Sequence, residues 1–99
     1  MKHFVVEITY RVPAESLGET LTAHRAFLQT GYDRGLLLLS GPQNPKTGGI
    51  VIARAESAAD IQEFFTHDPY RLQGYADYRF VEFDPVKRQP FMENWVNGL

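Results

Sequence analysis

Along the first dozen residues, Phe4, Val6, Ile8 and Tyr10 fall on alternate positions, the period of two that marks a strand with one face turned to a core. Val5 and Thr9 keep the opposite face from being wholly polar, and Pro13 ends the strand. The period then changes. Leu17, Leu21, His24, Leu28 and Tyr32 recur at steps of four and three, one face of a 3.6-residue repeat. Ser16 and Glu19 have the Ser-x-x-Glu spacing of a capping box, which predicts a helix start there, and Gly35 is placed to close the helix. Two short apolar runs follow, 36–42 and 48–55, joined by "QNPKT", a Pro- and Asn-containing loop suited to a hairpin. Ser57 and Asp60 repeat the capping spacing ahead of Ile61, Phe64 and Phe65, which predicts a short second helix. A last strand over about 75–83 puts Tyr78 and Phe80 on one face and Val81 and Phe83 on the other.

Strand, helix, strand, strand, helix, strand is the split βαβ order of a ferredoxin-like α+β domain: an antiparallel sheet with both helices on one face. Two helices cover only one side of such a sheet. Apolar groups on both faces of the first and last strands therefore call for a second surface, and a second copy about a two-fold axis is the simplest supplier. The expected state is a homodimer or a higher oligomer. Residues 1–99 read as one domain, with a core of about 1–86. The tail over 87–99 carries Phe91, Met92, Trp95 and Val96, a set suited to packing on a partner or closing a pocket.

Composition narrows the function classes. A formal charge of −2, with Lys and Arg scattered singly, provides no basic stripe for a run of phosphates, so nucleic acid is not expected as a ligand. The chain has no cysteine, hence no disulfide, thiolate nucleophile or zinc-thiolate cluster. No stretch approaches the ~20 apolar residues of a membrane span, and "MKHFVVEITYRV" does not read as a signal peptide. The expected location is the cytoplasm. His3, His24 and His67 show no metal-ligand spacing, and "GPQNPKTGG" lacks the Gly-Lys-Ser/Thr of a phosphate loop; no metal and no cofactor is expected.

The chemistry centres on His24. A lone histidine on an apolar helical stripe is ordinarily a core residue with a hydrogen-bonded ring, and burying it without a partner costs free energy. Asp68 is the candidate partner. In "HDPY" the residue before proline is pushed out of the helical region, so the second helix should end by His67, and Asp68 can cap a further turn that begins at Pro69. Extending the Ile61, Phe64, Phe65 face by one turn reaches position 68, on the inner edge of the helix. A carboxylate there meets the negative helix pole, where stability alone would favour a cation. In this fold both side chains point at the sheet and can meet. Ser40 and Gly41, at the end of the second strand, and Tyr70, after the second helix, are candidate pocket residues; a strand-end turn and a helix-packing tyrosine are their structural readings.

"AHRAFL" around His24, "RGLLLLSGPQ" and "HDPY", in that order and at these separations, resemble the YciI-like (YCII-related) family over residues 1 to about 86. The resemblance implies a dimeric α+β barrel with a paired histidine and aspartate at the active site, which fall on His24 and Asp68. It also implies chemistry on small cyclic or aromatic compounds, without a cofactor, of the lyase, dehydrohalogenase or isomerase kind. A non-catalytic dimer that binds a small metabolite or a protein, with His24 and Asp68 as a structural pair, is the alternative.

Overall fold

A computed structural model describes residues 1–99. Its sheet is formed by β1 (Lys2–Tyr10), β2 (Leu37–Pro42), β3 (Gly48–Ala55) and β4 (Ala76–Phe83). The strands lie in the order β2-β3-β1-β4, and every neighbouring pair is antiparallel. This is the ferredoxin-like α+β sheet expected from the order of elements. The main helices are α1 (Thr20–Asp33) and α2 (Ala58–Phe65), with a four-residue α3 (Pro69–Leu72) before β4 and a four-residue α4 (Glu93–Val96) in the tail.

Alternation along β1 sends Phe4, Val6 and Ile8 into the core, where they meet Val51, Ala53 and Ala55 of β3 and the helix residues Leu28, Ile61, Phe64 and Phe65. Burying this one face of the sheet against the helices is the main driving force for the fold. On the other face Val5 lies between Ile52 of β3 and Val81 of β4. Val81 and Phe83 there are 36% and 41% exposed. No helix is long and apolar enough to cross a membrane.

Helix ends matched their sequence signals at three of four places. Ser57 accepts a hydrogen bond from the Asp60 amide at 3.1 Å, as its spacing predicts. At the end of α1, Gly35 adopts φ +71°, its amide bonds to the Tyr32 carbonyl, and the Leu36 amide bonds to the Gly31 carbonyl. That pair of bonds forms a Schellman motif and relieves the last carbonyls of the helix. Asp68 caps α3, with Pro69 in its first turn. The expected capping box at Ser16 and Glu19 does not form: Ala14–Ser16 make a 3-10 turn, and α1 begins at Thr20 without a side-chain cap. The reason is Gly18, at φ +52°, a left-handed turn that separates Ser16 from the first helical residues. Leu17 is nevertheless buried, so the apolar stripe survives although its first member lies outside the helix.

The tail returns to the outward face of its own sheet. His3 and Arg54 are cross-strand partners whose neighbours Phe4, Ala53 and Ala55 point into the core, so both side chains point away from the helices. The Arg54 guanidinium donates to the Trp95 carbonyl at 2.8 Å and to the Leu99 carbonyl at 3.4 Å, and lies 4.0 Å from the centre of the Trp95 ring. His3 Nε2 donates to the Val96 carbonyl at 3.0 Å. Arg88 and Glu93 form a forked ion pair with two 3.0 Å contacts that ties the approach to α4.

Candidate active site

His24 and Asp68 are brought together across 44 residues of sequence: His24 Nδ1 lies 2.7 Å from Asp68 Oδ1. α1 supplies the histidine from its core-facing stripe. The carboxylate stands at the break between α2 and α3, where Pro69 prevents the helix from continuing. Asp68 is completely buried and surrounded by donors. Its Oδ1 also accepts the Tyr70 amide at 3.1 Å, and its Oδ2 accepts the Tyr78 hydroxyl at 2.6 Å. An ionised carboxylate only accepts, so Nδ1 of His24 carries the hydrogen of that bond. In the neutral ring this leaves Nε2 as a basic nitrogen with its lone pair free.

Where Nε2 goes is therefore the decisive point. It makes no hydrogen bond within the chain, and Tyr70 Oη is the one sealed side-chain polar atom that lacks a partner. His24 lines a cleft of about 240 Å³ with Ile8, Tyr10, Arg25, Leu28 and Tyr70, and the end of β2 supplies Ser40, Gly41 and Pro42. The cleft walls are mostly apolar with a few polar groups that converge on them, the usual make-up of a small-molecule site. Arg25, on the turn of α1 next to His24, is its cation. No three His, Asp or Glu side chains come together as metal ligands.

Tyr70 is both packed and at the edge of the cleft. Its ring stacks on His24 at 4.0 Å and meets Tyr10 edge-on at 5.7 Å, and it also borders the cleft. Burial, and then the neighbouring Tyr10, push its hydroxyl well above the ordinary phenol range. Burial, and then the bond to Asp68, do the same for Tyr78, so both phenols stay protonated donors at neutral pH. His67 is exposed and pairs with Glu63 at 3.3 Å, outside the site.

Three residues of this arrangement escape a reading of the sequence. Tyr78 reads as one of several aromatics on the last strand, although a phenol on a core-facing strand position needs an acceptor, and that need was the available signal. Tyr32 reads as the last member of an apolar stripe, yet its hydroxyl is 2.7 Å from Ser40 Oγ. Arg25 has no signal in the periodicity, since it sits on the exposed side of its helix.

Comparison with known proteins agrees with the geometry at the level of fold. No curated protein matches the sequence. Among solved structures, the chain is similar to 5-chloro-2-hydroxyhydroquinone dehydrochlorinase from Burkholderia phenoliruptrix AC1100 in complex with 2,5-dihydroxybenzoquinone. The TM-score is 0.68 at 19% identity, covering 90% of this chain and 97% of that one. The model of the YCII-related domain matches residues 3–84, a span that holds His24, the end of β2, Asp68 and Tyr78: the protein belongs to the YCII-related domain family.

Proposed function

We propose that this protein catalyses proton transfer on a small cyclic or aromatic compound without a cofactor, with His24 as the group that takes and returns the proton. The observation that carries the reading is the imidazole itself: Nδ1 is fixed by Asp68 while Nε2 is left unbonded in a residue that lines the cleft. Asp68 fixes the tautomer and stabilises the imidazolium that forms on proton transfer; with its oxygens occupied by three donors, it is a positioning residue and not the base. Nε2 takes a proton from an acidic C–H or a phenolic O–H. The electron pair left behind moves into the conjugated system and either expels a halide from a neighbouring carbon, for net loss of HX, or accepts the proton back at another carbon, giving an isomer. The fold shared with a dehydrochlorinase supports the first course.

The test is turnover of a panel of halogenated hydroquinones and small lactones, followed by halide release and ultraviolet absorbance. His24→Gln is expected to lower it by about 10² to 10⁴ fold, the contribution of a placed acid-base group. Wild-type rates in both His24→Gln and Asp68→Asn would remove the reading. The complete burial of Asp68 favours a second reading, a binding module in which the pair is structural; it predicts that no compound of the panel turns over and that the two substitutions affect only stability.

The proposal includes a homodimer. Val5, Ile52, Val81 and Phe83 form an apolar strip on the helix-free face, larger than single scattered surface residues and continuous across three strands. Sedimentation equilibrium at micromolar concentration is expected to give twice the 11.3 kDa chain mass, and Val81→Asp is expected to return the single-chain mass.

A further inference from the structure

Tyr32 and Ser40 share one short hydrogen bond between two hydroxyl groups. Two hydroxyls carry two hydrogens, and one bond uses only one. The phenol is the stronger acid and hence the better donor; with Tyr32 donating and Ser40 Oγ accepting, the Ser40 hydrogen is left unspent. Ser40 borders the cleft; Tyr32 does not. The free hydrogen of the pair thus belongs to the member that a bound molecule can reach. Tyr32 is anchored on the last turn of α1, one turn before its Schellman end, and Ser40 faces the helices opposite Val51, so the serine rotor is set by packed elements and not by solvent.

We propose that Ser40, oriented by Tyr32, is the donor that receives the substrate oxygen which becomes anionic when His24 takes the proton, and that the cleft is built for single-ring enols and phenols. This rests on the acid-base reading of His24. The same cleft then holds one proton acceptor, His24 Nε2, a hydroxyl donor at the end of β2, and the Arg25 guanidinium, which makes no ion pair within the chain. A base surrounded by donors suits a reaction in which negative charge grows on oxygen as the proton leaves, because the donors are in place before that charge develops. Size points the same way. A cavity of about 150 Å³ takes benzene, so a cleft of about 240 Å³ has room for one ring with its oxygen and halogen substituents. Ser40 is on this account a catalytic residue and Tyr32 a positioning residue.

The test is direct binding, which does not depend on turnover. 2,5-Dihydroxybenzoquinone is titrated into wild-type protein, Ser40→Ala, Tyr32→Phe and His24→Gln, with melting curves run on each to confirm the fold. Ser40→Ala is expected to weaken binding by about tenfold, one hydrogen bond to a charged oxygen. Tyr32→Phe, which keeps the ring and the serine but frees the rotor, is expected to weaken it less, by about threefold. Either equal affinity in wild type and Ser40→Ala or no binding of the one-ring probe to wild type would overturn the proposal. The base reading fails separately: His24→Gln that keeps full turnover of the compounds the wild type converts, alongside a Ser40→Ala that loses affinity, leaves the donor role standing and removes His24 from the chemistry.

Discussion

His3 and His24 are both buried histidines in contact with a tail or a turn far away in sequence, and each has a charged residue at its side. Together with Arg54 and Asp68 they are the buried polar residues of the protein. Yet the two pairs sit on opposite faces of the sheet and are chemically unlike. His24 bonds to a carboxylate and keeps its second nitrogen for a cleft. His3 bonds to a main-chain carbonyl next to Arg54, whose donors go to the carbonyls of Gly35, Trp95 and Leu99. On the helix-free face the His3 ring and the Arg54 Nε and Nη1 groups meet main-chain oxygens, which holds the tail over them. On the helix face the imidazole meets a carboxylate, and its second nitrogen has no partner within the chain. Burial alone therefore does not set these two histidines apart; the charge of the partner and the freedom of the other nitrogen do, and on the acid-base reading they are what mark His24.

Removing the anion should have the largest effect. Asp68→Ala strips the N-cap of α3 and leaves His24 Nδ1 and the Tyr78 hydroxyl buried without their acceptor. Breaking such a buried pair costs about 3–5 kcal/mol, a large part of the stability of a small domain. The variant is expected to melt far below wild type in calorimetry and to lose turnover. His3→Ala is expected to cost less and to leave turnover unchanged. A His3 variant that lost activity with its melting temperature intact would break the contrast between the two faces.

How much of this contrast the chain announces depends on range. His24 is legible because a helical stripe is a local repeat, and Asp68 because a pre-proline carboxylate at the inner edge of a helix is a conflict within a few residues. The sheet order follows from the sequence of elements, which short connections nearly determine. The second cluster is not legible in this way. Arg54 appears as one cation in an apolar run, and its partners lie 41 and 45 residues on; His3 finds its partner 93 residues away. No periodicity encodes a bond between a side chain and a distant carbonyl, since every residue offers the same acceptor. The missed start of α1 has another origin: the capping motif was present at Ser16, and the handedness of one glycine decided against it.

An intermediate effect is expected at Arg54. Arg54→Ala removes the bonds to the tail and the stacking on Trp95, a loss of about 2 kcal/mol, and should free residues 85–99 without disturbing the cleft. Hydrogen exchange would show the amides of Asn97 and Leu99, bonded to carbonyls within the tail, exchanging faster, while the α1 amides around His24 keep their protection. Loss of protection in α1 as well would mean that the two faces are coupled through the sheet.

The smallest effect separates the two regions by pH. Tyr78, bonded to Asp68, and Tyr70, stacked on His24, have phenols raised above their ordinary value, chiefly by burial. Below about pH 10 the folded and unfolded chains both keep these protons, so the phenols add no pH dependence. Above it the unfolded chain releases them first, and stability falls as pH climbs toward the folded values. Tyr78→Phe loses the bond to Asp68, about 1 kcal/mol at neutral pH, but also removes one of the two phenols responsible for the alkaline decline. Its melting temperature, followed from pH 8 to 11, is therefore expected to start below wild type and to converge on it as pH rises. Arg54→Ala has both phenols intact and is expected to run parallel to wild type over the same range. Parallel curves for Tyr78→Phe would show that its hydroxyl ionises as freely in the fold as out of it, and would detach it from the Asp68 cluster.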